Sequence, residues 1–230
     1  MIFQNRYMKF SDLSITIDGS IVKQVDNVKF LGLTIDSCIT WKPHIDLLCS
    51  KVAKTIGILH KIKHFVPQNV LKILYNSLIF SNLSYCNLVW GNTYNCYLNR
   101  IYILQKRAIR LITRSDFSIE ISDLFKSLNT LSVFNIHKHQ LGVFMYKINN
   151  NMLPSKFTRL FKLNDTVHNY FTRNSSNYHV VRTNTDIGEK SLVFVGTHFW
   201  NKLPPSLKNC CSITIFRSKL KTFLLSPLDI

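Results

Sequence analysis

The apolar residues of this chain change their period at Thr40, and that change limits what the chain can fold into. Upstream, "FSDLSITIDG" (10–19) sets Leu13, Ile15 and Ile17 against polar neighbours, the alternation of a half-buried strand. Asp18-Gly19 is a hairpin-turn signal, and "SIVKQVDNVKFLGLTID" continues with one or two strands, around 20–25 and 28–35. Downstream, Ile45, Leu48, Val52, Ile56 and Leu59 recur three or four apart, which predicts a helix over about 41–64. The two periods demand different backbones, so a small antiparallel β unit over 1–40 is expected to give way to helices.

Pro43 suits the first turn of that helix, where a missing N–H costs nothing, and Val66-Pro67 ends it. Further helices are expected over 68–81 (Val70, Leu71, Leu74, Leu78) and 94–113 (Leu98, Ile101, Leu104, Ala108, Leu111, Ile112). Two more are expected over 119–128 and 132–150, the second closed by Pro154. Residues 82–92 are aromatic and apolar, ending at Trp90-Gly91. Residues 155–190, rich in Asn, Ser, Thr and Arg, read as a long loop or arm and as an internal boundary. A terminal amphipathic helix carries Ile215, Leu220, Phe223 and Leu224. The expected fold is mainly α with a small N-terminal antiparallel β unit. It comprises a basic helical bundle over 41–154, the arm, and a helical tail over 191–230.

With 46% apolar and 18% charged residues in 230, the chain can bury a core and is not a disordered polyampholyte. Lys+Arg outnumber Asp+Glu by 29 to 12, a formal net charge of +17, which points to a polyanionic partner: nucleic acid or an acidic membrane surface. The start, "MIFQNRYMKF", lacks a signal-peptide pattern. The most apolar stretch, "VLKILYNSLIFSNLSYCNLVWG", is broken by Lys72, Asn76, Asn82 and Asn87, so no bilayer-length run is present. The expected location is intracellular, nucleus or cytoplasm, neither secreted nor transmembrane. Cys38, Cys49, Cys86, Cys96, Cys210 and Cys211 form no C-x-x-C and read as buried thiols.

The position of the charge matters more than its sum. Between Asp46 and Asp116 lie Lys51, Lys54, Lys61, Lys63, Lys72, Arg100, Lys106, Arg107, Arg110 and Arg114, and no acid. Helices normally mix signs on the wet face, because opposite charges at i,i+4 attract and like charges repel. Two readings of this stretch stand: a surface for a phosphate backbone, or a solvated basic face. In "LQKRAIRLITR" the helical spacing gathers Arg107, Arg110 and Arg114 opposite Leu104, Ala108 and Leu111, a face able to follow a duplex without reading bases. Trp41, Trp90 and Trp200 read as core anchors rather than base-stacking platforms.

Catalytic signatures are absent from the sequence. Phosphoryl or nucleotidyl transfer needs clustered carboxylates around metal ions, and the chain has no Asp-Asp, Glu-Glu or Asp-x-Asp. P-loop, H-E-x-x-H and G-x-S-x-G patterns are also missing. His137 and His139 flank Lys138 without a companion Cys or acid, and read as a helical surface pair rather than metal ligands. No catalytic residue, no metal site and no small-molecule substrate is expected in this chain.

"VKFLGLTIDSCITWKPHI" (28–45) resembles the segment that follows the polymerase active site in reverse transcriptases of non-LTR, LINE-type retrotransposons, of the jockey/CR1 kind. "LSYCNLVWGN", "LNRIYILQKRAIRLIT", "HNYFTRNSSN" and "GTHFWNKLPPSLKNCCSITIFRSKLKTFLL" continue the likeness in order. The front, "NRYMKFSDLSITIDG", resembles the last palm elements, though Asn5, Arg6 and Met8 fit the family's run only in part. The likeness implies that Lys29, Phe30, Leu31 and Gly32 form a primer grip, with Gly32 allowing close approach of backbone to nucleic acid. It implies a thumb beyond Trp41 whose basic residues ride on an A-like RNA–DNA hybrid. The family's Ala-Asp-Asp site lies upstream of this part, so Mg²⁺ is expected only with that missing portion, itself a possible partner. Three readings follow: a catalytically inactive piece that binds primer–template or RNA, a basic protein-interaction remnant, or an incomplete gene model of an active polymerase.

Overall fold

In a computed structural model describing residues 1–3, 15–167 and 175–226, the chain is mainly helical, with two small antiparallel sheets near its N-terminus. It divides into two units: residues 1–82 with 93–108, and residues 83–92 with 109–230.

The first unit begins with two hairpins. Strands β1 (Ile15–Ile17) and β2 (Ser20–Val22) pair with Ile15 opposite Val22, and β3 (Asn27–Phe30) and β4 (Leu33–Asp36) with Phe30 opposite Leu33. Both two-residue turns take positive φ at both positions: Asp18 46° and Gly19 77°, Leu31 46° and Gly32 78°. That is the primed turn whose twist matches the flanking strands. The strand expected around 10–19 survives in part as β1, and its residues before 15 lie outside the described ones. The stretch 28–35 is not one strand: Leu31-Gly32 divides it into β3 and β4.

A buried carboxylate then turns the chain into α1 (Lys42–Ile62). Asp36 accepts hydrogen bonds from the Thr40 N–H (2.9 Å), the Thr40 hydroxyl (2.9 Å) and the Trp41 N–H (2.8 Å). The bonds hold a link in which Ile39 and Trp41 both adopt left-handed backbone, φ 52° and 62°. From Trp41 the helix buries His44, Ile45, Leu48, Val52 and Leu59. Thr93 donates to the Thr40 carbonyl at 2.7 Å, adding a distant part of the chain to the joint.

Pro67 opens α2 (Gln68–Tyr75), which runs through a wider turn at Asn76–Phe80 into α3 (Ser81–Ser84). Leu71, Tyr75 and Ile79 are buried at a constant spacing of four. An α-helix drifts about 40° for every four residues. The widened turn absorbs that drift and keeps the apolar side chains on one face. After the short α4 (Asn87–Trp90), α5 (Asn95–Thr113) contributes Leu98, Ile101, Gln105 and Ala108 to the first unit's core. Gln105 is the unexpected member, buried in place of Leu104, and its amide donates to the Tyr75 hydroxyl at 2.8 Å. The bond satisfies two polar groups that burial would otherwise leave unpaired. Burial pushes the Tyr75 hydroxyl's pKa up strongly.

The second unit is organised around α7 (Val133–Asn149), following the short α6 (Ile121–Ser127). Buried residues occur on several sides of α7, as a core helix requires. After α8 (Ser155–Thr158), α9 (Asn164–Val167) and α10 (Asp186–Glu189) come α11 (Leu192–Lys202), α12 (Pro205–Lys208) and α13 (Ile213–Leu225). Helices α11 and α13 pack on α7. Gly142 makes this possible: a Cβ there would stand 2.5 Å from a Leu220 methyl and 3.0 Å from the Phe199 ring. Tyr146 stacks on Phe216 with centroids 4.6 Å apart and donates to the Cys210 carbonyl at 2.8 Å. Ser132, Ser191 and Ser212 cap α7, α11 and α13 by accepting from the third N–H onward. The polar stretch 155–190 is less featureless than a loop, because Asn201 holds both the N–H and the carbonyl of Tyr178 (3.0 and 2.8 Å).

Two sequence expectations change here. His137 is buried and its Nδ1 lies 3.3 Å from the Asn87 carbonyl, so it is no surface residue. Of the six cysteines, all free thiols, Cys210 is buried, Cys96 and Cys211 are exposed and the others half-buried. Among the described residues no helix is long and apolar enough to cross a membrane.

Asp36→Ala should lower unfolding stability by about 2–4 kcal/mol in urea titrations, since it removes an acceptor of three bonds and strands their donors. Burial holds His137 and His139 below 6.5, partly offset by their backbone hydrogen bonds, and at His139 reinforced by the Arg217 and Lys221 charges. The unfolded chain therefore takes up protons more readily, and the contribution is full above 6.5 and lost as pH falls below it. The urea midpoint should stay level above about pH 7 and fall between about pH 6.5 and 5, less so in His137→Gln.

Candidate nucleic-acid interface

Helix α1 lays its apolar stripe into the first unit and turns the rest to water. Leu47, Lys51, Lys54, Ile58 and Lys61 are exposed and spaced three or four apart, so they follow one ridge of α1. The ridge carries three ammonium groups and two aliphatic side chains. Among the described residues the ion pairs are Arg100–Asp46 and Lys126–Asp123, and neither touches these three lysines. Lys63, one residue past α1, and Lys72 on α2 are half-buried.

The basic residues of α5 fare less uniformly. Arg100 and Arg107 are exposed, but Arg100 is paired with Asp46, across 54 positions. That pair is exposed on both sides, so its stabilisation is worth no more than about 1 kcal/mol. Lys106 is half-buried and sits over the Tyr102 ring, 4.8 Å from its centroid. Within the second unit, Arg110 donates to the Asp116 carbonyl at 2.6 Å and lies 5.2 Å from the centre of the Phe117 ring. Arg114 stands one residue beyond α5 with φ 53°. Helical spacing therefore no longer assigns it to the face of Arg107 and Arg110, as the sequence pattern had it.

The second feature is the β3–β4 hairpin. Lys29 and Gly32 are exposed, and Phe30 and Leu31 present 61% and 71% of their surface, an apolar tip in water. The hairpin is fixed at its other end. Leu33 is buried, β4 packs on α1, and the Thr34 N–H reaches His44 Nδ1 at 3.5 Å. Burial lowers the His44 pKa, with the Lys51 charge adding to the effect, so the neutral ring suits an acceptor role at Nδ1. The tip thus projects from a base tied to the same helix that carries the lysine ridge.

Trp41 and Trp90 are buried in the first and second unit respectively, and Trp200 in the second. Trp90 donates to the Tyr85 carbonyl at 2.9 Å. Among the described residues, no three His, Cys, Asp or Glu side chains converge on a point that could hold a metal ion. The arrangement offers cations and an exposed apolar tip.

Sequence reasoning missed two things. Nothing in the sequence alone marks Asp36 as the joint under the hairpin, because its partners are set by the folded link. Phe65, 87% exposed beyond α1, is the other, and the signal for it is that "KHFVP" places it outside both flanking helical stripes.

Curated relatives match part of the chain. The probable RNA-directed DNA polymerase from transposon X-element of Drosophila melanogaster is 30% identical over 123 residues, 51% of this chain. That from transposon BS of the same species is 27% identical over 122 residues, 52% of this chain. The RNA-directed DNA polymerase from mobile element jockey of Drosophila funebris is 26% identical over 114 residues, 48% of this chain. The matched segment spans only 12–14% of the length of these relatives. No family model matches, and no solved structure matches. The likeness to jockey-type reverse transcriptases read from the sequence is thus present over half the chain.

Replacing Gly32 by Val should open the β3–β4 hairpin, since a β-branched residue resists φ 78° by about 1–2 kcal/mol. Hydrogen exchange should quicken at Phe30 and Leu33, the pair that flanks the turn, while α1 stays protected, and Gly32→Asn, which tolerates this backbone, should change little.

Proposed function

We propose that this chain, similar over half its length to RNA-directed DNA polymerases of jockey-type mobile elements, contributes to holding primer and template rather than to chemistry. The observation that carries the reading is the lysine ridge of α1. Lys51, Lys54 and Lys61 stand exposed in a stretch where no acid occurs between Asp46 and Asp116. A helix pays an electrostatic cost for such one-signed charge in water, and a phosphate backbone relieves it by releasing condensed counterions. The ligand is an RNA–DNA hybrid or RNA, gripped through its backbone irrespective of sequence. Arg107 adds to this surface, and Arg100, with its charge shared by Asp46, adds less.

In the same reading the Lys29–Gly32 hairpin acts as the primer grip, its apolar Phe30-Leu31 tip leaning on the sugar side of the primer end. Nucleotidyl transfer belongs to an upstream portion carrying the carboxylates and Mg²⁺, and no catalytic step is assigned to these residues. Exposed strands support such a portion as a partner. Ile15, Ile17, Ile21 and Val22 all face water in β1 and β2, and a lone two-stranded hairpin is marginally stable. The competing reading, a basic protein-interaction remnant, draws on the same exposed strands.

Anisotropy of a labelled RNA–DNA hybrid should give an affinity that falls steeply with salt. The Lys51, Lys54 and Lys61 to Ala triple variant should lower the log–log salt slope by about 2–3 without shifting the thermal midpoint. Absence of binding at low salt, or a flat salt dependence, would overturn the reading in favour of the protein-interaction remnant.

A further inference from the structure

Helix α1 ends at Ile62, and the chain turns before Pro67 starts α2. In that turn the Phe65 N–H donates to the Ile62 carbonyl at 2.9 Å, so the residue sits in a hydrogen-bonded bend rather than a loose loop. Its ring is 87% exposed. Through the stretch 60–69 it is the one large apolar side chain so displayed, and His60, Lys61 and His64 are exposed around it in sequence. A protein-docking face calls for contiguous apolar surface, and within the bend itself a single ring is displayed. An isolated ring beside an ammonium group and two imidazoles has the composition of a site for unpaired nucleic acid, where bases stack on the ring and the N–H donors follow the phosphates. Lys61 also ends the α1 ridge, so a strand lying along the ridge arrives at this bend.

We propose that Phe65 is a stacking platform for an unpaired nucleobase, with Lys61 and His64 contacting the flanking phosphates of a single-stranded segment. This rests on the nucleic-acid reading and adds to it, because the ridge alone cannot tell paired from unpaired strands. Stacking on an aromatic side chain acts through the π-face of any base, so the preference is for strandedness and not for sequence.

The test uses the full chain and three probes: a blunt RNA–DNA hybrid, the same hybrid with a single-stranded overhang, and the single strand alone. Phe65→Ala should weaken binding of the overhang hybrid and of the single strand about tenfold, and leave the blunt hybrid unchanged. Phe65→Trp should retain affinity, and its added indole emission should be quenched by the overhang and the single strand, not by the blunt hybrid. Because the ring is exposed, thermal unfolding of both variants should match the parent. Equal binding of all three probes by Phe65→Ala and the parent overturns the proposal, as does loss on the blunt hybrid to the same extent. Phe65-dependent binding to anionic vesicles without an effect on any nucleic acid overturns it too. If the parent ignores the blunt hybrid yet binds the single strand through Phe65, the hybrid reading fails while this one stands.

Discussion

The first unit depends on one carboxylate. Asp36 is the last residue of β4, and its two oxygens collect the Thr40 N–H, the Thr40 hydroxyl and the Trp41 N–H. Between strand and helix the chain places Ile39 and Trp41 in left-handed backbone, a region that costs an L-residue roughly 1–2 kcal/mol each time. Ile39 is β-branched, so the strain there is at the upper end. Charge-assisted hydrogen bonds of this kind contribute about 1.5–3 kcal/mol each. They outweigh the strain and fix the angle at which the hairpin leaves α1. Trp41 is then buried, edge-on to His44, and Thr93 ties the Thr40 carbonyl to the approach of α5. Without the carboxylate, the Phe30-Leu31 tip would be tied to the lysine ridge only through the packing of β4 on α1 and the Thr34–His44 contact.

Local periodicity made most of the elements legible. The switch at Thr40 foretells α1 to within two residues, and Asp18-Gly19 marks the first hairpin turn, whereas the turn at Leu31-Gly32 lies inside what reads as one strand. What remained hidden depends on distant partners. Gln105 takes the buried place expected for Leu104, because Tyr75, thirty residues earlier, offers a hydroxyl that only a polar side chain can satisfy. His137 looks like surface beside Lys138, yet α7 is enclosed on several sides, and no window of α7 alone reveals how many neighbours it has. The widened turn at 76–80 follows from four-residue apolar spacing, a signal present in the sequence but easily read as an ordinary helix.

The candidate surface was legible in sign and not in detail. An acid-free run of basic residues is a property of sequence, and the α1 lysines keep their exposure because the apolar stripe of that helix fixes which side is wet. On α5 the same argument loses force. Asp46, Tyr102, Asp116 and Phe117 each engage one basic side chain, and none of these contacts follows from helical spacing along α5 alone apart from Lys106 over Tyr102. Arg114 leaves the helical path altogether. Of the α5 residues singled out by pattern, Arg107 is the exposed one whose charge no acid among the described residues offsets.

Geometry limits how much such a ridge can do by itself. From Lys51 to Lys61 the helix rises roughly 15 Å, which matches about four phosphates of one strand at about 3.4 Å each. Three ammonium groups over that length give an attraction that is non-specific, salt-sensitive and blind to which base lies where. Coulomb forces reach about 10 Å at about 0.1 M salt but hold no register. Register must come from short-range contacts at fixed positions, and two of the unit's exposed apolar groups are held in fixed backbone. One is the Phe30-Leu31 tip, set by the Asp36 joint, and the other is Phe65, set by its hydrogen-bonded bend. In the proposed reading, charge draws a strand to the helix, and these two groups set where along it the strand rests.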